Sequence, residues 1–157
     1  MTDAAFQTSV RIDAETPADA ASVEALVMAA FGPGRFAKTA ERIREHAGVA
    51  AGFVARENER VIGAVRLWSI LVGGQPALFL GPITVSVDSR KGGLGADLVQ
   101  ACIDHAGTTG ILLVGDAPYF SRFGFRPASE ARLQGPVDQR RVLWRGDGEP
   151  SGTVLPV

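Results

Sequence analysis

The stretch of this chain best suited to chemistry is Arg90-Lys91-Gly92-Gly93-Leu94-Gly95-Ala96. Glycines carry no Cβ, so main-chain amides here can approach a ligand closely. A helix expected over 93–106 presents unpaired amides, and about half a positive charge, at its N-terminus. Phosphate oxygens suit such a place, and Arg90 and Lys91 add formal charge at its rim. Two familiar phosphate motifs do not fit. The Walker pattern ends in Gly-Lys-Ser/Thr, whereas here Ala96 follows Gly95. The dinucleotide fingerprint needs a small third residue where Leu98 stands, and it belongs to a parallel unit. What remains is Arg-x-x-Gly-x-Gly, formed by Arg90, Gly93 and Gly95. It is either a diphosphate cradle or a strand-to-helix turn whose glycines serve packing alone.

Other reactive side chains are few. Cys102 is the only cysteine, so no intrachain disulfide can form, as suits a reducing compartment. Its helical neighbours Leu98, Val99 and Ile103 mark it as a small buried hydrophobe. His46 and His105 lack the partners of a metal cluster, so no metal is expected. Arginines gather late (Arg122, Arg126, Arg132, Arg140, Arg141, Arg145), as a solvated face or as a local patch for a polyphosphate. Globally, 16 Lys and Arg stand against 17 Asp and Glu, which gives no attraction to nucleic acid or anionic lipid. With 46% hydrophobic and 21% charged residues, the 157-residue chain has the composition of one globular domain. No apolar run approaches the roughly 20 residues of a membrane helix, and the first residues do not read as a secretory signal. A cytoplasmic protein, monomeric or homodimeric, is expected.

A turn of this kind needs a strand before it and a helix behind it. A short strand is expected over 9–12, followed by a helix start at Thr16-Pro17-Ala18-Asp19. Val23, Leu26, Val27 and Ala30 then form one apolar stripe, which Phe31-Gly32-Pro33-Gly34 ends. A weaker helix over 39–47 turns Ala40, Ile43 and Ala47 inward and leaves Glu41, Arg42, Arg44 and Glu45 wet. Strands over 51–56, 60–71 and 77–87 make an antiparallel meander, with Gly73-Gly74 as a tight hairpin turn. After the 93–106 helix, Ile111-Leu112-Leu113-Val114 reads as a strand covered on both faces. A helical turn over 117–122 and a last strand over 141–145 follow. Residues 1–146 read as one domain and 147–157 as a loose tail. The order predicts an α/β (α+β) fold around a mixed, mostly antiparallel sheet flanked by helices.

In this setting the Arg90, Gly93, Gly95 pattern resembles the acetyl-coenzyme A (acetyl-CoA) signature of the GNAT N-acetyltransferases, where it follows the fourth strand and opens the third main helix. Gly81-Pro82-Ile83-Thr84-Val85-Ser86-Val87 resembles the family strand that carries the pantetheine arm. Val114-Gly115-Asp116-Ala117-Pro118-Tyr119-Phe120-Ser121-Arg122-Phe123-Gly124-Phe125 resembles its second landmark, in a long form similar to the YhbS-like branch. The likeness covers about 9–125.

That resemblance implies an acetyl-CoA dependent N-acetyltransferase in which a primary amine, of a small molecule or a protein, attacks the thioester directly. Pyrophosphate would rest on amides of Lys91, Gly92, Gly93, Leu94, Gly95 and Ala96, beside Arg90. Pantetheine would pair along Ile83, Thr84 and Val85, with a Val85 amide donating to the thioester oxygen. The family's usual proton donor to the leaving thiolate is a tyrosine, and its slot here holds Phe120, placed beside the cofactor. Tyr119, the chain's only tyrosine, is then the candidate donor, and Asp116 the candidate for acceptor binding or water-mediated deprotonation. Phe31 to Lys38 would shape the acceptor site, with Arg35 and Lys38 tolerating an acidic group there. Because of Phe120, a CoA-binding regulatory module with weak or no catalysis is the alternative, and an interaction domain a third.

Overall fold

The computed structural model of the chain describes residues 10–34, 38–89 and 92–157. Ser9, Arg35, Arg90 and Lys91, each with an expected part, lie outside the described residues. The elements in order are β1 (Val10–Ala14), α1 (Ala20–Phe31), α2 (Thr39–His46), β2 (Val49–Glu57), β3 (Arg60–Val72) and β4 (Gln75–Leu80). Then come β5 (Thr84–Val85), α3 (Leu94–Ala106), β6 (Ile111–Val114) and α4 (Ala117–Phe120). The short strands β7 (Arg126–Pro127), β8 (Ala131–Arg132), β9 (Val142–Arg145) and β10 (Gly152–Pro156) complete the chain.

The main sheet runs β1-β2-β3-β4-β6-β9-β7, and only the β4–β6 pair along that path is parallel. The hairpin between β3 and β4 turns on Gly73 and Gly74, both at positive φ (55° and 85°), as a two-residue turn with right-handed strand twist requires. Helix α3 covers one face, where Leu94, Leu98, Cys102 and Ala106 pack on Val65, Leu67, Leu80, Ile111 and Leu113. All four helix positions of the expected apolar side are buried. Burial pushes the Cys102 thiol up to about 12, the behaviour of an inert core thiol. Helices α1 and α2 cover the other face. Val23 and Val27 pack on Val54 and Ala64, and Ile43 joins Trp68, Ile70 and Phe79. Among the described residues no helix is long and apolar enough to cross a membrane.

The first turn of α1 is held by charge as well as by its apolar stripe. Asp19 is buried, and Arg56 on β2 donates to both of its oxygens at 2.8 Å while its Nε reaches Asp13 at 2.8 Å. The Thr16 amide donates to Asp19 as well, at 2.8 Å. Arg56, and next the Thr16 amide, hold the Asp19 carboxyl far below the usual carboxylate range. A carboxyl depressed on folding contributes stability that is complete above its unfolded value, about 3.9, and is lost as pH falls through the folded value. Arg56→Met should therefore cost about 1–2 kcal/mol at pH 7. In urea melts the gap between wild type and Arg56→Met should narrow once pH drops below about 4.

Three expectations are corrected. The strand foreseen over 77–87 is two strands, because Pro82 has no amide to pair and the chain takes in an extra residue there. Glu41 is buried, not wet, and its carboxylate meets Arg44 at 3.0 Å. The expected loose tail, 147–157, contains β10, which pairs antiparallel with β3 and parallel with β8. It occupies the flank of β3 that β2 leaves at Val49: Gly48 N–H donates to the Val157 carbonyl at 2.7 Å and Val157 N–H to Ser69 at 3.1 Å. Nothing local in Gly152-Thr153-Val154-Leu155-Pro156 announces a flank that is open only in three dimensions.

Candidate active site

Strands β4 and β6 pair at only two positions, Leu78 opposite Ile111 and Phe79 opposite Leu112. Beyond them each strand keeps its other neighbour and leaves its partner. On the β3 side, Gly81 N–H donates to Arg66 at 2.9 Å, yet three residues later Thr84 stands opposite Ala64. One extra residue has entered the strand over 81–83, which bends it away from β6. Trp68 Nε1 holds the bend by donating to the Gly81 carbonyl at 2.6 Å. On the other side, β6 continues to Val114 against Val142 of β9. The sheet is thus unzipped at its centre.

Two hollows meet at this split. The first, about 580 Å³, lies between the end of α1, Ile83, Thr84 and Val85 of the bent strand, Gly93, Leu94, Gly95 and Ala96 at the start of α3, and the side chains of Tyr119 and Arg122. Gly92 and Gly93 have φ of 98° and 75°, and a Cβ on either would meet no atom within 4 Å, so the space before this turn is open. Ser86 N–H bonds Ile62, which makes Val85 opposite Gly63 the alternate ladder position, where amide and carbonyl turn away from β3. Thr84 is buried opposite Ala64, on the face that α1 covers, and its hydroxyl has no hydrogen-bond partner among the described residues. The second hollow, about 660 Å³, enters the split itself, with Leu80, Gly81, Pro82 and Ile83 on one side and Leu113, Val114, Gly115 and Asp116 on the other. Phe31 and Ile83 line both hollows.

A glycine turn and a helix N-terminus thus stand at one mouth of a sheet opened between two central strands, beside the strand that the resemblance assigned to pantetheine. Residues 20–125 match the model of the acetyltransferase (GNAT) family. The chain belongs to the GNAT family. It is 32% identical, over 78% of its length and 77% of the relative's, to the uncharacterized N-acetyltransferase YhbS of Escherichia coli K12. The crystal structure of Escherichia coli YhbS in complex with CoA superposes with a TM-score of 0.80 at 26% identity, covering 96% of this chain and 91% of that one. A GNAT family acetyltransferase from Brucella melitensis in complex with acetyl-CoA gives a TM-score of 0.65 at 28% identity, covering 87% and 96%. This GNAT chain is accordingly an acyltransferase by family, and its mixed, mostly antiparallel sheet flanked by helices is of the fold class expected.

Within this GNAT site the foreseen residues divide between the hollows. Ile83, Thr84, Val85, Gly93, Leu94, Gly95 and Ala96 gather around the first, together with Tyr119, whose hydroxyl stands 3.7 Å from where a Cβ on Gly95 would lie. Phe120, foreseen beside the cofactor, is buried and lines the second hollow. Asp116 is there too, and its Oδ2 accepts from the Tyr119 amide at 3.0 Å, capping α4. That bond ties the carboxylate of one hollow to the main chain of Tyr119, whose side chain lines the other. Gly115 leaves room for the arrangement, since a Cβ there would lie 2.6 Å from the Phe120 ring.

The sequence named Arg122 only as one of the late arginines and as part of the block over 114–125. Arg122 stacks its guanidinium 4.3 Å from the Tyr119 ring centroid and lines the first hollow. The late arginines are otherwise dispersed. Arg140 pairs with Asp138 at 3.0 Å, Arg132 approaches Glu130, and Arg145 Nε donates to the Phe123 carbonyl at 2.7 Å. The patch suggested by their spacing does not form as a unit, and its one member at the first hollow is Arg122, three residues from Tyr119 on a helical turn. His105 packs edge-on against Phe53 at 5.9 Å.

Proposed function

We propose that the protein moves an acetyl group from acetyl-CoA to a primary amine by direct attack. The observation that carries this reading is the meeting of two hollows at Phe31 and Ile83, inside a sheet that has parted. One hollow offers what a diphosphate and an amide-bearing arm need: open amides at the start of α3, a guanidinium at Arg122 and a strand edge at Ile83, Thr84 and Val85. Lys91 and Arg90, next to that turn in sequence, add charge. The other hollow gives an amine access to the same point.

In the proposed reaction the amine nitrogen attacks the thioester carbonyl carbon, and the main chain at Val85 donates to the oxygen that becomes negative. The carbon–sulfur bond then breaks and the thiolate takes a proton from Tyr119, on the wall of the donor hollow. The proton lost by the amine passes through water to Asp116, the carboxylate that lines the acceptor hollow. Neither Cys102 nor a metal has a part.

Tyr119→Phe is expected to lower kcat by about 100-fold, the low end for loss of a general acid, while the affinity for acetyl-CoA changes less than threefold. Free thiol released across a panel of amines is the measurement. Wild-type protein that binds acetyl-CoA, yet releases thiol with no amine above the hydrolysis background, would replace this reading with the CoA-binding module that Phe120 suggests.

A further inference from the structure

The second hollow has a chemical character of its own. Its walls are mainly apolar, with Phe79, Leu80, Leu113, Phe120 and Val137 among them. Three cations line it, Lys38, Arg44 and Arg141, against a single carboxylate, Asp116. Arg44 is already matched by Glu41 at 3.0 Å. Lys38 and Arg141 have no carboxylate within ion-pair distance among the described residues. Both are exposed, and each makes one other contact. The Lys38 ammonium stands 5.6 Å from the Phe31 ring centroid, at the junction of the two hollows. Arg141 Nε donates to the Gly115 carbonyl at 3.2 Å, on the β6 side of the split. A chain with net charge −1 thus places two cations without a close ion-pair partner at the rim of one apolar cleft.

We infer that the acceptor is a small primary amine that also carries a carboxylate next to an apolar body, with the carboxylate taken up by Lys38 and Arg141. This rests on the proposed function, because it assigns the substrate class of the same site. Apolar walls of this extent favour a hydrocarbon or aromatic side group and offer little to a sugar. Two cations at its rim disfavour polyamines and aminoglycosides, which would bring further positive charge beside them. A carboxylate meets the opposite situation, since the two cations gain a partner.

The test uses product analogues, so that amine reactivity does not enter. Wild-type protein saturated with CoA is titrated calorimetrically with N-acetyl-L-leucine, N-acetyl-L-leucinamide and N-acetylspermidine. The acid should bind at least tenfold more tightly than the amide, with N-acetylspermidine weakest, and raised salt should shrink the preference. In the double variant Lys38→Met, Arg141→Gln, which keeps comparable volume at both positions, the acid-to-amide ratio should fall below threefold while CoA still binds. If CoA binds but the acid shows no preference, if N-acetylspermidine binds best, or if none of the three binds, the inference is overturned and the proposed function stands. A double variant that keeps the ratio also overturns it. If CoA itself does not bind, the proposed function fails and takes the inference with it.

Discussion

Gly95→Glu is expected to abolish acetyl-CoA binding, with at least a 100-fold loss of affinity, in a protein that is no less stable than wild type. Gly95 lies in the first turn of α3, and the nearest atom to a Cβ there is the Tyr119 hydroxyl, at 3.7 Å, an ordinary contact. Glu in place of Gly raises helix propensity by roughly 0.5–1 kcal/mol, and an acidic group in a first turn suits the helix dipole. The free protein therefore gains from the change. What it loses is a site for anions, because a carboxylate now stands where the proposed pyrophosphate would rest. Wild type at 100 times its Kd for acetyl-CoA should be stabilised by about 2.7 kcal/mol, a Tm rise of roughly 5–10 °C for a domain of this size. The variant should show a rise below about 1 °C. A variant that keeps the full rise would reduce the glycines of this turn to packing, and the donor hollow would lose its assignment.

Removal of residues 147–157 should be the most damaging change to the fold, with a Tm at least 10 °C lower or with insoluble protein. Val154 is 1% exposed and belongs to the core with Ile70, Val72 and Trp68. Thr153 accepts from Gly73 N–H at 3.0 Å, and Gly152 N–H donates to Glu130 at 2.9 Å. Burial of one valine contributes about 1.5–3 kcal/mol, and each such backbone bond about 0.5–1.5 kcal/mol. Together these reach on the order of 5 kcal/mol, a large part of the 5–15 kcal/mol that a domain commands. The cut would also bare the edge of β3 near Ile70 and Val72, a template for pairing between chains. Calorimetry of the truncated protein, with Val154→Ala as a milder companion, checks this. A truncated protein that melts within 2 °C of wild type would mean that β10 is peripheral.

What the sequence made legible follows the range of the physics involved. Leu94, Leu98, Cys102 and Ala106 recur at the helical period, and all four are buried under the sheet. Gly73-Gly74 specified its hairpin because positive backbone angles are a local property. The glycine turn and the block from Gly115 to Phe125 were visible because both motifs are contiguous, and the structure brings their residues to adjoining hollows. Partners far apart in the chain were not visible. Glu41 looked wet on its helix, and only the fold lays it against the core beside Arg44. β8 and β10 are read only from each other and from β3, which are distant in sequence. Lys38 and Arg141 share a cleft across about a hundred residues, and no periodicity announces that. Phe120 sat in a recognisable slot, but which hollow its ring would face depended on the ring's fit beside Gly115.

The extra residue over 81–83 carries a consequence for kinetics. An opening written into strand register does not wait for a ligand to part the strands, because the hydrogen bonds that would close it have no partner in phase. A preorganised slot spares the arriving molecule the entropy of ordering its own receptor. Association of the cosubstrate should accordingly show one phase whose observed rate climbs in proportion to concentration, without the plateau that a slow conformational step imposes.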